Sequence, residues 1–202
     1  LFCHTPYTCA AETLITLKQV AREKDVLFLS HVAETRDEIK LIQECYGLTP
    51  IRHLQKLGVL DERTVIVHAV WVDEEELEML RDTGTKVSHN PESNMKLAVG
   101  VAPVPAMLRK GITVGLGTDG CASNNDLDLF REMGTAAKLH KVAAMDPTVL
   151  AARTALKMAT IHGARVLGLG AQIGSIEPGK CADLILVDMK KPHLTPVYQV
   201  YS

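Results

Sequence analysis

Two rhythms of apolar residues alternate along the chain. Short continuous runs, Val26 to Leu29, Thr64 to Val67, Thr85 to Ser88 and Ile112 to Leu116, have the length of buried strands, and Leu1 to Cys3 reads as the last residues of another. Between them the apolar residues recur at helical spacing. Leu14, Leu17 and Ala21 mark a helix over residues 12–24, while Ile39, Leu41, Ile42 and Tyr46 mark the expected buried side of a helix from a Thr35 cap to Gly47. Further helices are predicted over 50–57, over 74–82 behind an Asp73 N-cap and ahead of Gly84, over 103–110, over 127–141, and from near Pro147 to about Leu167. Glu74, Glu75 and Glu76 are expected as a solvated helix start.

Strands that alternate with helices in this way predict a parallel sheet in an α/β fold. Each apolar run is followed at once by a chemistry-bearing residue: His4, His31, His68, His89 and Asp119. In a (β/α)8 barrel the carboxyl ends of all strands open onto one face, so these five would converge, whereas a doubly wound sheet would spread them along an edge. The reading is therefore part of a (β/α)8 barrel over residues 1–168. Residues 169–202 are expected to begin a small β domain. There Gly174 to Lys180 reads as a hairpin turn and Ala182 to Asp188 as a strand.

Composition narrows the partners. A hydrophobic content of 47% over 202 residues supports a substantial core, and a net charge of -2 leaves no electrostatic footprint for nucleic acid or an anionic membrane. A small-molecule partner is expected. Five scattered cysteines without a C-x-x-C pair point to a reducing cytoplasm. No apolar run approaches the ~20 residues of a membrane span. The start at Leu1, without a methionine, predicts a fragment of a longer protein, and a half barrel with open sheet edges is expected to form a homo-oligomer.

The stretch Lys110 to Leu127 carries the most chemistry. Its Gly115, Gly117 and Gly120 can be read as G-x-G-x-x-G of a dinucleotide fold, but Asp119 would then place a negative charge inside the loop meant for a pyrophosphate. As a strand end, the same loop delivers a carboxylate to a site. His31 and Asp119 suit a divalent metal, zinc or iron, and Glu34 lies three residues past His31, free for proton transfer. His68 is placed to polarise or deprotonate a water whose pKa the metal lowers to about 7. His89, in S-H-N-P, is a candidate supporting residue that braces its loop. His53, His140, His162 and His193 are expected to be non-functional, Cys121 a buried small side chain, and Met95, Met107, Met133 and Met158 core filler.

With these residues in place the chain resembles the amidohydrolase superfamily, in the branch that holds 5'-methylthioadenosine/S-adenosylhomocysteine deaminases and triazine chlorohydrolases. The matching pieces are HTPYTC at His4, SHVAET at His31, VHAVW at His68, SHNPESNMKLAVGVAPV at His89, GLGTDGCASNN at Asp119 and GSIEPGKCADLILVD near the end. The resemblance implies the C-terminal half of a TIM barrel of the metal-dependent hydrolase type over residues 1–168, followed by part of a small β-sandwich domain over 169–202. It also implies metal ligation by His31 and Asp119, a proton-shuttling Glu34, a His68 beside the attacking water and a substrate-contacting His4. Glu34 and Asp119 would also face the substrate. The implied reaction is hydrolytic deamination of an adenine-type ring on a purine nucleoside-like substrate. A chlorohydrolase, a guanine- or cytosine-type deaminase, and a non-catalytic self-associating fragment are the alternatives. The family's H-x-H metal pair is absent from this sequence, so the chain alone is expected to bind metal weakly and to be inactive.

Overall fold

The computed structural model describes residues 1–199. Five strands, β1 (Phe2–Cys3), β2 (Phe28–Val32), β3 (Thr64–His68), β4 (Lys86–His89) and β5 (Val114–Leu116), form one sheet in the order β1-β2-β3-β4-β5, with every pair parallel. Strands adjacent in sequence are adjacent in space, which is barrel connectivity and has no switch point of the doubly wound kind. The register sets His31 opposite Val67, Val32 opposite His68, and His89 opposite Leu116. Strand ends that carry chemistry therefore lie at one level of the sheet.

Helices α1 (Ala11–Glu23), α2 (Arg36–Tyr46), α3 (Pro50–Lys56), α4 (Glu74–Thr83), α5 (Pro91–Lys96), α6 (Val104–Arg109), α7 (Cys121–Asn124), α8 (Leu129–Ala144), α9 (Ala152–Ala159) and α10 (Ile161–Val166) fill the connections. Phe28, Val32, Ile66, Val87 and Val114 join Leu14, Leu54, Leu77, Leu80, Met107 and Met158 in the core. On the opposite face Leu29, Val65, Val67, Ser88 and Gly115 line an inner cavity of about 750 Å³. None of the helices in the described residues is long and apolar enough to cross a membrane.

Phe2–Cys3 pair as the two-residue strand β1, in line with the strand end read there. Other expectations are corrected. Helix α2 buries Glu38 and Ile42 and leaves Leu41 and Tyr46 exposed, because the stripe facing the sheet runs through positions 38 and 42, one turn apart. Glu76 is likewise buried. It closes a capping box with Asp73 and accepts the Thr49 hydroxyl, so it is a brace and not a solvated charge. The helix expected from Pro147 to Leu167 breaks into α9 and α10 at Thr160, whose φ of -123° and ψ of -102° are not helical. Cys121 and Met95 are exposed, whereas Met107 and Met158 are fully buried. The apolar run Ala182 to Asp188 forms no ladder, since a strand needs a partner and no described residue pairs with it. Instead Leu184 and Ile185 line the inner cavity of the sheet.

Candidate active site

His31 lies inside β2, His68 ends β3, and Asp119 follows β5 by three residues. By strand alternation His68 shares parity with the core residue Ile66, while Val65 and Val67 face the inner cavity. Its backbone breaks that alternation. His68 has φ of 78° and Ala69 of 46°, and Ala33 (56°) and Asp119 (62°) also take the left-handed region. Such conformations cost non-glycine residues on the order of 1–3 kcal/mol each and persist where the surroundings over-determine them. Here they gather at the strand ends and turn the functional side chains together.

The resulting distances are short. His68 Nε2 stands 3.7 Å from a Glu34 carboxylate oxygen and 4.0 Å from Asp119 Oδ2. The His31 and His68 rings are 5.3 Å apart, and the His4 ring meets that of His31 edge-on at 5.4 Å. His31 Nδ1 donates to the His4 carbonyl at 3.0 Å, which leaves its Nε2 lone pair free. Burial, with the neighbouring His68, holds the His31 pKa below the ordinary imidazole value. Burial would raise Asp119, but hydrogen bonds from Ser93 Oγ (2.7 Å), Ser123 Oγ (2.8 Å) and the Gly120 amide (2.8 Å) outweigh it and keep the carboxylate ionised.

One donor atom each from His31, His68 and Asp119 lies within 4.8 Å of the others, the one such cluster of His, Cys, Asp or Glu among the described residues. Two imidazoles and a carboxylate, with His68 buried and His31 and Asp119 partly exposed, are the donor chemistry that zinc takes in hydrolytic sites. The set fits a divalent ion. His31 and Asp119 are the pair expected as ligands from the sequence, and His68 is a third donor within reach.

The remaining sequence candidates separate. His4 stands beside His31, with its own Nδ1 3.0 Å from Thr8 Oγ1. His89 is fully buried and is not one of the three clustered donors; its Nε2 lies 3.0 Å from that of His140 on α8. His140 is thus the partner of His89. His53 packs under Tyr46, with ring centroids 4.0 Å apart, and the side chain of His193 lies outside the described residues. Four residues were missed. Ser93 and Asn94 on α5 bond Asp119 and His68, Glu38 caps the turn that carries Glu34, and Ser123 holds Asp119. A Pro at the first position of α5 and a Thr-x-x-Glu cap at α2 were the available signals.

Comparison with known proteins gives a consistent result. The chain is 51% identical over 199 residues to the 5-methylthioadenosine/S-adenosylhomocysteine deaminase of Syntrophobacter fumaroxidans, covering 98% of this chain and 45% of that protein. Among solved structures it superposes on an adenosine deaminase from Xanthomonas campestris with bound zinc at a TM-score of 0.96, with 42% identity over 99% of this chain and 46% of the other. An atrazine chlorohydrolase from Arthrobacter aurescens complexed with zinc follows at 0.91, with 32% identity over 98% of this chain and 44% of the other. The chain spans about half the length of the relatives it matches. Its sequence fits the Amidohydrolase family over residues 3–201, and with the strand-end cluster at the same level of a half barrel, the chain belongs to that family.

Proposed function

We propose that this chain carries the proton-transfer side, and part of the metal-holding side, of a zinc-dependent hydrolytic deaminase acting on adenine-type rings such as those of S-adenosylhomocysteine and 5'-methylthioadenosine. The observation that carries the proposal is the meeting of Glu34 and Asp119 within 4.0 Å of the His68 Nε2 atom, beside His31. His31 and Asp119 would hold the ion, and His68 would face it. A divalent ion bound there supplies Lewis acidity, which brings the pKa of a water to about 7.

The residues of this chain divide the proton work. The Glu34 carboxylate takes one proton of the attacking water to the ring nitrogen. The His68 Nε2 lone pair accepts the other and returns it through Glu34, 3.7 Å away, to the leaving amine, so both water protons are used and both groups end as they began. A bond forms from the water oxygen to the ring carbon, and the bond from that carbon to its amino group breaks, releasing ammonia. His4, next to His31, borders the space where a nucleoside would lie. Its ring nitrogen offers a hydrogen bond to a ribose or ring atom.

The relatives named above support the deaminase reading. The likeness to the chlorohydrolase supports a second one, displacement of chloride from a triazine by the same cluster. We assign residues 169–202 to the beginning of a second, β-type domain. The open edges at β1 and β5 favour self-association, and five free cysteines fit a reducing cytoplasm. The test joins this chain to the amino-terminal portion of the Syntrophobacter relative and follows ammonia release from S-adenosylhomocysteine, 5'-methylthioadenosine, guanine and cytosine, with chloride release from atrazine. Deamination of the two adenine nucleosides by the joined protein, and none by the chain alone, is the expected result. Chloride release without deamination would replace the first reading by the second.

A further inference from the structure

We propose that Asn94 is a positioning residue that fixes the His68 imidazole as its Nδ1–H tautomer, so that the Nε2 lone pair faces Glu34 and Asp119. The inference rests on the proposed function only for the use then made of that lone pair.

His68 Nδ1 lies 2.8 Å from Asn94 Oδ1, an oxygen that can only accept, in a fully buried contact between β3 and α5. The ring must therefore donate from Nδ1. The opposite arrangement has an attraction of its own, because two carboxylates near Nε2 would draw a proton to that side. At 3.7 and 4.0 Å, however, neither carboxylate reaches hydrogen-bond distance, while the Asn94 oxygen does. The acceptor at Asn94 decides the competition. A proton on Nε2 would leave it unable either to take a proton from water or to donate to a metal.

The bond to His68 is the one hydrogen bond of the Asn94 side chain among the described residues, since its Nδ2 is buried without a partner. Its neighbour Ser93 does the matching work for Asp119, through the 2.7 Å bond from Oγ to Oδ2. The two consecutive residues thus orient two members of the cluster from one short helix. That helix is itself tied to α8, where Glu132 accepts the Glu92 amide at 3.3 Å and Thr135 donates to the Glu92 carboxylate at 2.7 Å.

Imidazole 15N spectra of the metal-free chain, recorded at alkaline pH, read the tautomer directly, with His68 assigned by its loss in His68→Gln. The wild-type chain should show His68 with a protonated Nδ1 and an unprotonated Nε2. Asn94→Leu, of similar shape without the acceptor, should shift the ratio of Nδ1–H to Nε2–H by roughly tenfold, the worth of one buried hydrogen bond. Asn94→Asp, which keeps an oxygen in place, should restore it. A wild-type His68 found as the Nε2–H tautomer overturns the proposal whether or not the leucine variant folds, as does an unchanged ratio in a folded leucine variant. Because no turnover is measured, a failed deaminase assay leaves this result standing, and a wrong tautomer leaves the substrate question open to its own assay.

Discussion

The Glu38 carboxylate accepts the backbone N–H of Glu34 at 2.8 Å and that of Ala33 at the same distance. A glutamate three residues into a helix commonly returns to the amide of the capping residue. Here Thr35 still caps α2 by accepting the Glu38 amide at 3.0 Å, but the carboxylate reaches past it to the turn on which Glu34 stands. The helix cap and the aim of Glu34 are set by one side chain. Glu38→Gln leaves one of those two amides without an acceptor and should cost about 2 kcal/mol in urea unfolding.

The same glutamate gives a pH signature. Burial pushes its carboxyl up to about 7, above the 4.5 of a free glutamate. The folded chain therefore binds more protons than the unfolded chain between these values, and the stability Glu38 contributes falls as pH rises through that window. Glu38→Gln should remove this part of the slope of unfolding free energy against pH. A slope unchanged in the variant would show that Glu38 titrates normally in the folded chain.

The buried pair of His89 and His140 has the opposite sign. Burial lowers both, His140 to about 4, and only one of the facing Nε2 atoms can carry a proton at a separation of 3.0 Å. A folded pKa below the 6.5 of free histidine means that stability is fully present above 6.5 and is lost as pH falls toward 4. His140→Leu removes one of the terms that oppose Glu38, so the slope of stability against pH between about 5 and 6.5 should be more negative in the variant than in the wild-type chain. Unfolding midpoints across that range check the sign.

Zinc titration separates ligands from the base. If His31 and Asp119 hold the ion, His31→Ala and Asp119→Ala should each weaken binding by at least roughly tenfold, the loss that even outer-sphere changes produce. His68→Ala should change it much less. Chelator competition on the metal-free chain measures all three, and an equal loss in His68→Ala would make that residue a third ligand. One tightly held ion per wild-type chain would overturn the expectation of weak binding.

The strands and their terminal residues were legible because β-branched runs of strand length are punctuated by His or Asp with little ambiguity. What was not legible lies in contacts made far along the chain. Asn94 meets His68 across 26 residues, and Glu132 on α8 meets Asn124 of the Asp119 loop at 2.6 Å, with a carboxyl that burial raises to about 7. Polar residues such as Glu38 and Glu132 look like solvated faces in periodicity, and only the backbone amides they satisfy explain why they are inside. The run Ala182 to Asp188 failed for the converse reason, since strand propensity is realised only against a partner edge.

The glycines of the Asp119 loop allow a last test, which also disposes of the dinucleotide reading. A Cβ added at Gly115 would lie 2.9 Å from Gly163 Cα and 3.2 Å from Val166 Cγ2, so this glycine exists to let α10 lie against β5. At Gly117 it would meet the Asn90 and Ser88 side chains at 2.5 and 2.7 Å, but at Gly120 it would meet nothing within 4 Å. Gly115→Ala should therefore cost about 1–3 kcal/mol by overpacking, Gly117→Ala a similar amount, and Gly120→Ala close to nothing. A dinucleotide loop needs its first glycine for a tight turn, its second for the approach of a pyrophosphate and its third for close packing of helix on strand, whereas here the third has open space and the first two answer to a helix and side chains already in contact. Urea unfolding of the three variants distinguishes the two accounts, because only the packing account predicts that the third glycine is dispensable.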